Sequence, residues 1–227
     1  MPDIATYVLI HGAGDAGWYW HLVEAELRER GHDTVAPDLP DDESAGWWEC
    51  AETVVDAIGD HTGLVVVVGQ SLGAFTAPLV CERVPADLLV LVAGMIPAPG
   101  DTAYGWFSSS GYESVARDRE ESYEGDIELY YHDVAPELAA EALTHARKEA
   151  GGPADEPWPL DAWPDIPTRY LLCREDHVFP AEFLRRLARE RLGITADEID
   201  GGHTPALSRP RELADRLERY SEGLAAS

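Results

Sequence analysis

Runs of apolar, β-branched residues alternate along the chain with segments in which apolar residues recur every three or four positions. The runs predict strands at 5–10, 33–36, 64–69, 88–93, 168–173 and 194–199. The spacing between them predicts helices near 20–29, 46–58, 72–83, 181–191 and 209–224. Unbroken apolar runs such as 64–68 suit strands that are buried on both faces. The pattern therefore predicts an α/β fold built on a parallel sheet.

The regular alternation fails once, between about 97 and 163, where short helices and loops are predicted. This stretch holds nine of the chain's twenty aromatic residues. Aromatic side chains suit a lid over an apolar pocket, and long insertions in compact domains are usually functional. The alternative is that they pack a small helical subdomain onto the sheet. We expect a core of 1–96 and 164–227, a helical lid insertion at 97–163, and a pocket lined by Trp106, Phe107, Tyr130 and Tyr131.

Composition narrows the class of protein and of partner. A chain of 227 residues, 45% of them hydrophobic, is expected to form one packed domain, with or without an insertion. The formal net charge of −26 repels polyphosphates and excludes nucleic acid and anionic membranes as partners. No apolar stretch approaches the roughly 18 residues of a membrane span, and the N-terminus does not resemble a signal peptide. Three cysteines without a CxxC pair predict reduced thiols and a cytoplasmic protein: Cys50, Cys81 and Cys173.

The sharpest chemical signal is Gly69-Gln70-Ser71-Leu72-Gly73, which follows an apolar strand and precedes a helical pattern. At such a strand–turn–helix junction the serine is strained and its hydroxyl is exposed above the sheet. Glycine is needed two positions to either side, because the strand and helix backbones pass too close for a Cβ atom. Ser71 is therefore predicted to be a nucleophile at a helix N-terminus, where free N–H groups favour an oxyanion.

A serine nucleophile requires a base and a group that orients the base. His203 lies in a turn after the last predicted strand, which places it at the same sheet edge as Ser71. Asp176 follows the 168–173 strand and is the predicted acid; Glu175 is the alternative, because one step along a turn changes which carboxylate points inward. Asp176 could also serve only to cap the next helix. Five other histidines are expected at the surface or in the core: His21, His32, His61, His132 and His145.

Acyl transfer also needs two N–H donors aimed at the developing oxyanion. The backbone N–H of Leu72 is one candidate, and the loop after His11 and Gly12 brings the N–H of Ala13 as the other. The glycines of this loop match neither a dinucleotide-binding nor a P-loop pattern. We therefore expect no cofactor and no metal, a small-molecule substrate, and either a monomer or a homodimer.

Four elements follow one another along the chain: the loop after His11, then Ser71, Asp176 and His203. In this order they resemble the α/β-hydrolase superfamily over nearly the whole chain. Three stretches, 11–20, 31–40 and 202–210, resemble the branch of plant methylesterases and hydroxynitrile lyases and its bacterial relatives. The resemblance implies a six-stranded, mostly parallel sheet flanked by helices, with a helical lid inserted after the 88–93 strand. It also implies that Ser71, His203 and Asp176 form a catalytic triad.

Three functions follow from this resemblance. The lyases of the branch carry Thr in place of Gly12 and Lys in place of Thr204, so their absence favours ester hydrolysis over cyanohydrin cleavage. The superfamily also includes receptors that bind without turnover, but an intact set of Ser71, His203 and Asp176 favours an enzyme. We expect a serine esterase acting on a small carboxylic ester; thioesters, lactones and amides share the same machinery.

Overall fold

Six strands form where the apolar runs predict them: β1 (Ala5–Ile10), β2 (Asp33–Val35), β3 (Leu64–Gln70), β4 (Leu88–Val92), β5 (Thr168–Cys173) and β6 (Asp197–Ile199). The computed structural model describes residues 4–42, 44–59, 61, 63–116, 123, 125–147 and 155–225. The strands form one sheet in the order β2-β1-β3-β4-β5-β6, and every neighbouring pair is parallel. The predicted α/β fold with a six-stranded parallel sheet is confirmed.

Strand β6 begins three residues later than the predicted start at 194. Gly193, with φ of 69°, ends the preceding helix in the left-handed conformation. The N–H of Ile194 then turns back to the carbonyl of Ala188. Ile194 is apolar enough for a strand, but its donor is used in closing the helix and not in the sheet.

Helices cover both faces of the sheet, close to their predicted bounds. One face carries α2 (Trp47–Ile58), α3 (Gly73–Cys81) and α8 (Ala181–Leu192). The other carries α1 (His21–Glu29), α9 (Pro205–Ser208) and α10 (Pro210–Ala225). Within the described ranges, no helix is both long enough and apolar enough to cross a membrane.

Strand β3 explains the unbroken apolar run at the centre of the chain. Val65 and Val67 pack into the core beneath α2 and α3, whereas Val66 and Val68 pack into the core beneath α1 and α10. All four are buried. Because successive side chains of a strand point to opposite faces, a strand covered on both faces needs apolar residues at every position.

The connection from β4 to β5 is the long irregular segment of the chain. Its described part contains four short helices and no strand: α4 (Ala103–Ser109), α5 (Glu113–Ala116), α6 (Gly125–Tyr130) and α7 (Pro136–His145). It lies beyond the carboxyl end of β4, at the edge where β1, β3, β5 and β6 also end. The loops that follow these parallel strands meet at this edge, and the candidate site lies there.

Candidate active site

Ser71 occupies a strained turn between β3 and α3. Its φ of 49° lies in the left-handed region. Backbone hydrogen bonds hold it there, among them Ser71 N–H to Val92 O at 3.1 Å and Met95 N–H to Ser71 O at 2.9 Å. A Cβ on Gly69 would come within 2.7 Å of the Gly73 carbonyl oxygen, and a Cβ on Gly73 within 2.7 Å of the last carbonyl oxygen of β1. Close approach of strand, helix and first loop therefore requires both glycines.

His203 stands between Ser71 and Asp176. Its Nε2 lies 3.0 Å from Ser71 Oγ, and its Nδ1 lies 2.8 Å from Asp176 Oδ2. Asp176 Oδ1 accepts the N–H groups of Val178 and Phe179 at 2.8 and 3.0 Å, which fixes the orientation of the carboxylate. Because an ionised carboxylate only accepts hydrogen bonds, Nδ1 carries the proton and Nε2 faces the serine hydroxyl as an acceptor.

Glu175, the alternative acid, faces away from the histidine. Its side chain is exposed and its carboxylate accepts the N–H of Gly201. Asp176, one residue later, is 2% exposed and contacts His203. The tight turn after β5 thus directs only the second carboxylate towards the sheet edge. The structure brings together Ser71, His203 and Asp176, and it places Glu175 outside this group.

Two free backbone donors flank the serine. The loop after β1 passes directly beside it, since a Cβ on Gly12 would lie 3.0 Å from Ser71 Cβ. The N–H groups of Ala13 and Leu72 donate to no acceptor within the described ranges. Both residues line cavities at the site. This arrangement suits an oxyanion hole, as the motif predicts.

His11 holds that loop in place. Its Nε2 accepts the N–H of Leu39 at 3.1 Å, so Nδ1 must carry the proton that it donates to Gly12 O at 2.8 Å. Burial lowers the pKa of His11, which favours this neutral form. His11 therefore links the loop after β1 to the segment after β2 through hydrogen bonds.

A cavity of about 990 Å³ opens above Ser71 and His203. A second cavity of about 240 Å³ adjoins it on the side of Leu72 and shares Ala13, Asp15 and Phe107 with it. Of the four aromatic residues predicted to line a pocket, Phe107, Tyr130 and Tyr131 line the larger cavity. No group of three or more His, Cys, Asp or Glu is arranged to hold a metal in the described part of the chain.

Trp106 is the exception, and its predicted place in the pocket is wrong. Its side chain is fully buried in the core that α8 covers, with edge contacts to Phe179 and Phe183. Its indole N–H donates to Ile96 O at 2.8 Å. Phe107, the next residue along α4, points to the cavity instead. Successive helical positions differ by about 100°, so adjacent aromatics lie on different faces.

Trp106→Ala should therefore act on stability and Phe107→Ala on substrate handling. Loss of a buried tryptophan destabilises a core by about 3–5 kcal/mol, which lowers a melting temperature by roughly 10 °C in a domain of this size. Phe107 is half-buried and lines both cavities, so its removal should chiefly change kcat/KM between short and long acyl esters. Thermal melting and specificity constants of both variants test this; equal melting temperatures would contradict the core placement of Trp106.

Asp15 is an acidic residue of the site that the motifs do not predict. It lines both cavities and makes no hydrogen bond or ion pair through its carboxylate to any residue in the described ranges. Burial raises the pKa of the Asp15 carboxyl to about 7, and the nearby His203 lowers it in part. The signal that could have revealed it is an acid in an otherwise small and apolar loop.

The raised pKa of Asp15 predicts a pH-dependent stability. The folded protein holds this proton up to about pH 7 and the unfolded chain only to about 3.8, so stability is lost as pH rises between these values. Asp15→Asn removes that loss. Its gain in unfolding free energy should be larger at pH 8 than at pH 5 by up to about 3 kcal/mol, since one pKa unit corresponds to about 1.4 kcal/mol.

Denaturant melts of Asp15→Asn at the two pH values measure this difference. Glu113→Gln is the matched control, because it removes an exposed carboxylate from the same cavity and exposed substitutions change stability by about 0.5 kcal/mol at most. A gain for Asp15→Asn that does not grow with pH would contradict the burial of a titrating carboxyl.

Gln70 is a second residue that the motif names without giving it a role. Its Nε2 donates to the backbone oxygen of His203 at 3.1 Å, so it ties the nucleophile turn to the histidine loop. Its Oε1 is buried and has no hydrogen-bond partner within the described ranges. Only the folded structure reveals this contact, because the two residues are 133 positions apart.

A parallel sheet with a serine at the β3–α3 turn, and an acid and a histidine after two later strands, defines an α/β-hydrolase. The chain belongs to the alpha/beta hydrolase family, whose sequence model matches residues 7–216. It is 24% identical to norfluorocurarine synthase 1 of Strychnos nux-vomica over 259 aligned residues, with 95% of each chain covered. It is 23% identical to methylesterase 7 of Arabidopsis thaliana, covering 96% of this chain and 97% of that protein.

A solved structure is similar to the whole chain. The crystal structure of polyneuridine aldehyde esterase matches with a TM-score of 0.80 at 20% sequence identity, covering 96% of this chain and 99% of that one. The likeness confirms the fold. The matches to plant methylesterase-type proteins confirm the resemblance found in the sequence motifs.

Proposed function

We propose that the protein is a serine esterase that cleaves a small carboxylic ester through an acyl-enzyme. His203 Nε2 takes the proton of Ser71 Oγ as the oxygen attacks the ester carbonyl, and then gives it to the leaving alcohol. Asp176 holds the tautomer of His203 and stabilises its cation. Water then attacks the acyl-enzyme with His203 again as base, which releases the acid and restores the serine.

The observation that carries this proposal is the unbroken hydrogen-bond chain from Asp176 through His203 to Ser71, with lengths of 2.8 and 3.0 Å. A nucleophile, a base and a group that orients the base are the minimum for this chemistry. The free N–H groups of Ala13 and Leu72 suit the oxyanion that forms when the carbonyl carbon becomes tetrahedral. Two of the similar proteins, methylesterase 7 and polyneuridine aldehyde esterase, are esterases by name.

The segment 97–163 is proposed as a lid in its middle part. Phe107, Tyr130 and Tyr131 come from this segment and line the cavity above the serine. Thr204 Oγ1 donates to Tyr130 O at 2.7 Å and ties the segment to the loop of His203. The part around Trp106 instead packs as core. We therefore propose that the described residues Phe107, Tyr130 and Tyr131 control access to Ser71.

Cyanohydrin cleavage is the second candidate, and contacts around two residues disfavour it. A side chain at position 12 would begin with a Cβ only 2.4 Å from Gln70 Oε1, which leaves no room for the lyases' threonine without movement. Thr204 stands in the place of the lyases' lysine and its hydroxyl is engaged with Tyr130. The chain therefore lacks the threonine and the lysine with which the lyases handle cyanide and the substrate hydroxyl.

Two measurements test the proposal against a binding protein without turnover. A serine-directed fluorophosphonate should label the protein with a stoichiometry of one, and peptide mapping should place the label on Ser71. Purified protein should also hydrolyse 4-nitrophenyl acetate over many turnovers, with loss of activity in step with labelling. Labelling at Ser71 without multiple turnovers would indicate a receptor, and no labelling would contradict the triad.

A further inference from the structure

We propose that the active-site cavity selects esters that carry a protonated amine, and that Asp15 is the specificity-determining residue that receives the cation. The inference rests on the proposed esterase function and names its substrate class. Asp15 lines the larger and the smaller cavity alike, so a substrate seated on Ser71 passes this carboxylate whichever cavity takes its acyl part.

The first argument is that no residue among those that the structure describes forms an ion pair with the Asp15 carboxylate. Within the described ranges it has no hydrogen bond and no ion pair. Arg147 lines the same cavities, but its guanidinium is paired with Asp38 and Asp41. A partly buried carboxylate has lost some of its contact with water, and a nearby opposite charge stabilises its ionised form. The carboxylate is therefore available for a cation that enters with the substrate.

The second argument is the balance of charge around the cavity. Two further carboxylates in its described wall, Glu113 and Asp126, stand at exposed positions. The only arginine or lysine of that described wall is Arg147, whose charge Asp38 and Asp41 offset. With a formal charge of −26 on the whole chain, the field at this opening attracts cations and repels anions.

The third argument is the aromatic wall. Six aromatic residues line the same space: Phe107, Tyr112, Tyr123, Tyr130, Tyr131 and Phe179. Aromatic faces attract ammonium groups through the ring quadrupole, and they do so more strongly when water is excluded. A carboxylate together with such a wall fits an alkylammonium better than it fits a neutral hydrocarbon chain.

Gln70 also carries an acceptor close to Ser71, but it does not face the cavity. Its Oε1 is buried without a partner in the described ranges, and the residue lines the larger cavity beside Ser71. Because this Oε1 atom is buried, we assign the cation to the Asp15 carboxylate alone. Burial raises the pKa of Asp15 to about 7, and a bound ammonium would favour its ionised form.

Two pairs of isosteric esters test the inference, each pair differing in N–H⁺ against C–H. The first pair places the amine on the alcohol: 2-(dimethylamino)ethyl acetate and 3-methylbutyl acetate. The second places it on the acyl group: methyl 4-(dimethylamino)butanoate and methyl 5-methylhexanoate. We would measure kcat/KM at pH 7.5 for all four, with uncatalysed rates subtracted. Any compound that is not turned over would be measured by its inhibition constant against 4-nitrophenyl acetate.

In at least one pair the cationic ester should be preferred about tenfold, the effect expected of one charge-assisted contact. Asp15→Asn should reduce that preference about tenfold, and Asp15→Glu should retain part of it. Glu113→Gln removes the same charge from an exposed part of the wall, where screening weakens it, and should change the preference less than Asp15→Asn does.

Equal constants within both pairs for the natural protein would overturn the inference, as would a preference that survives Asp15→Asn unchanged. Either result with normal turnover of 4-nitrophenyl acetate leaves the esterase proposal standing. Absence of all ester turnover, 4-nitrophenyl acetate included, would overturn the esterase proposal and the inference with it. The natural protein alone decides the first outcome, so the test survives a variant that does not fold.

Discussion

Ser71→Ala is expected to lower ester turnover by at least about 10³-fold while the protein stays folded. The hydroxyl oxygen is the proposed nucleophile, and catalysis left after removal of a triad member comes only from the oxyanion hole and substrate binding. The backbone of the turn is held by hydrogen bonds to β4 and to the segment after it, which do not involve the Ser71 side chain. The folded state should therefore tolerate the change.

Ser221→Ala is the matched control for this prediction. Ser221 is also buried, and its hydroxyl shares a 2.9 Å hydrogen bond with Tyr7 on the opposite side of the sheet from α3. Its removal should cost about 1 kcal/mol of stability and leave kcat/KM unchanged. Steady-state kinetics should therefore detect a loss only in Ser71→Ala, and thermal melting should detect a loss of stability chiefly in Ser221→Ala. Ser71→Ala with turnover near that of the natural protein would remove the basis of the proposed function.

Asp176→Asn is expected to lower turnover by about 10⁴-fold, the loss seen when the acid of a related triad is changed in this way. Asp176 Oδ1 accepts two backbone N–H groups, so the amide oxygen of the variant is held on that side. The amide NH₂ then faces His203 Nδ1 as a donor. Nδ1 becomes the acceptor, the ring proton moves to Nε2, and the histidine can no longer take a proton from Ser71.

Glu175→Gln provides the comparison. Its carboxylate accepts the N–H of Gly201 and does not contact His203, so the variant should lose a few-fold at most. A larger loss for Glu175→Gln than for Asp176→Asn would move the acid by one residue. Asp101, another acid of the chain, is engaged with Arg191 and the N–H of Ala98 and cannot replace it without leaving them.

Local rules explain why much of the fold and the position of the candidate nucleophile could be predicted. A strand buried on both faces must be apolar at successive positions, and β4, the valines of β3 and the last four residues of β1 and of β5 meet this condition. The turn that holds Ser71 requires glycine two residues to either side, and residues 69–73 of the sequence meet this requirement. The convergence of Ser71, Asp176 and His203 follows from parallel strands, because their carboxyl ends share one edge.

The sequence does not distinguish the roles of adjacent residues of similar chemistry. Glu175 and Asp176 are chemically similar, and only the turn after β5 decides which of them reaches His203. Trp106 and Phe107 are both large aromatics, and the docking of α4 decides that one is core and the other lines the cavity. Sequence patterns predict which face of a strand or helix is buried. Which of two adjacent side chains reaches a given neighbour depends on a rotation of about 100° or less, and the pattern does not define it.

The sequence by itself determined the parallel α/β fold, the strained serine turn and the histidine that serves it, since each depends on residues close together in the chain or on the rule that parallel strands end at one edge. The tertiary structure alone decided which carboxylate contacts His203, which aromatics line the cavity, and that Asp15 lies in its wall without an ion pair to any residue in the described ranges. These properties depend on how segments far apart in the chain pack against one another, because burial and the distances between charged groups are set by that packing.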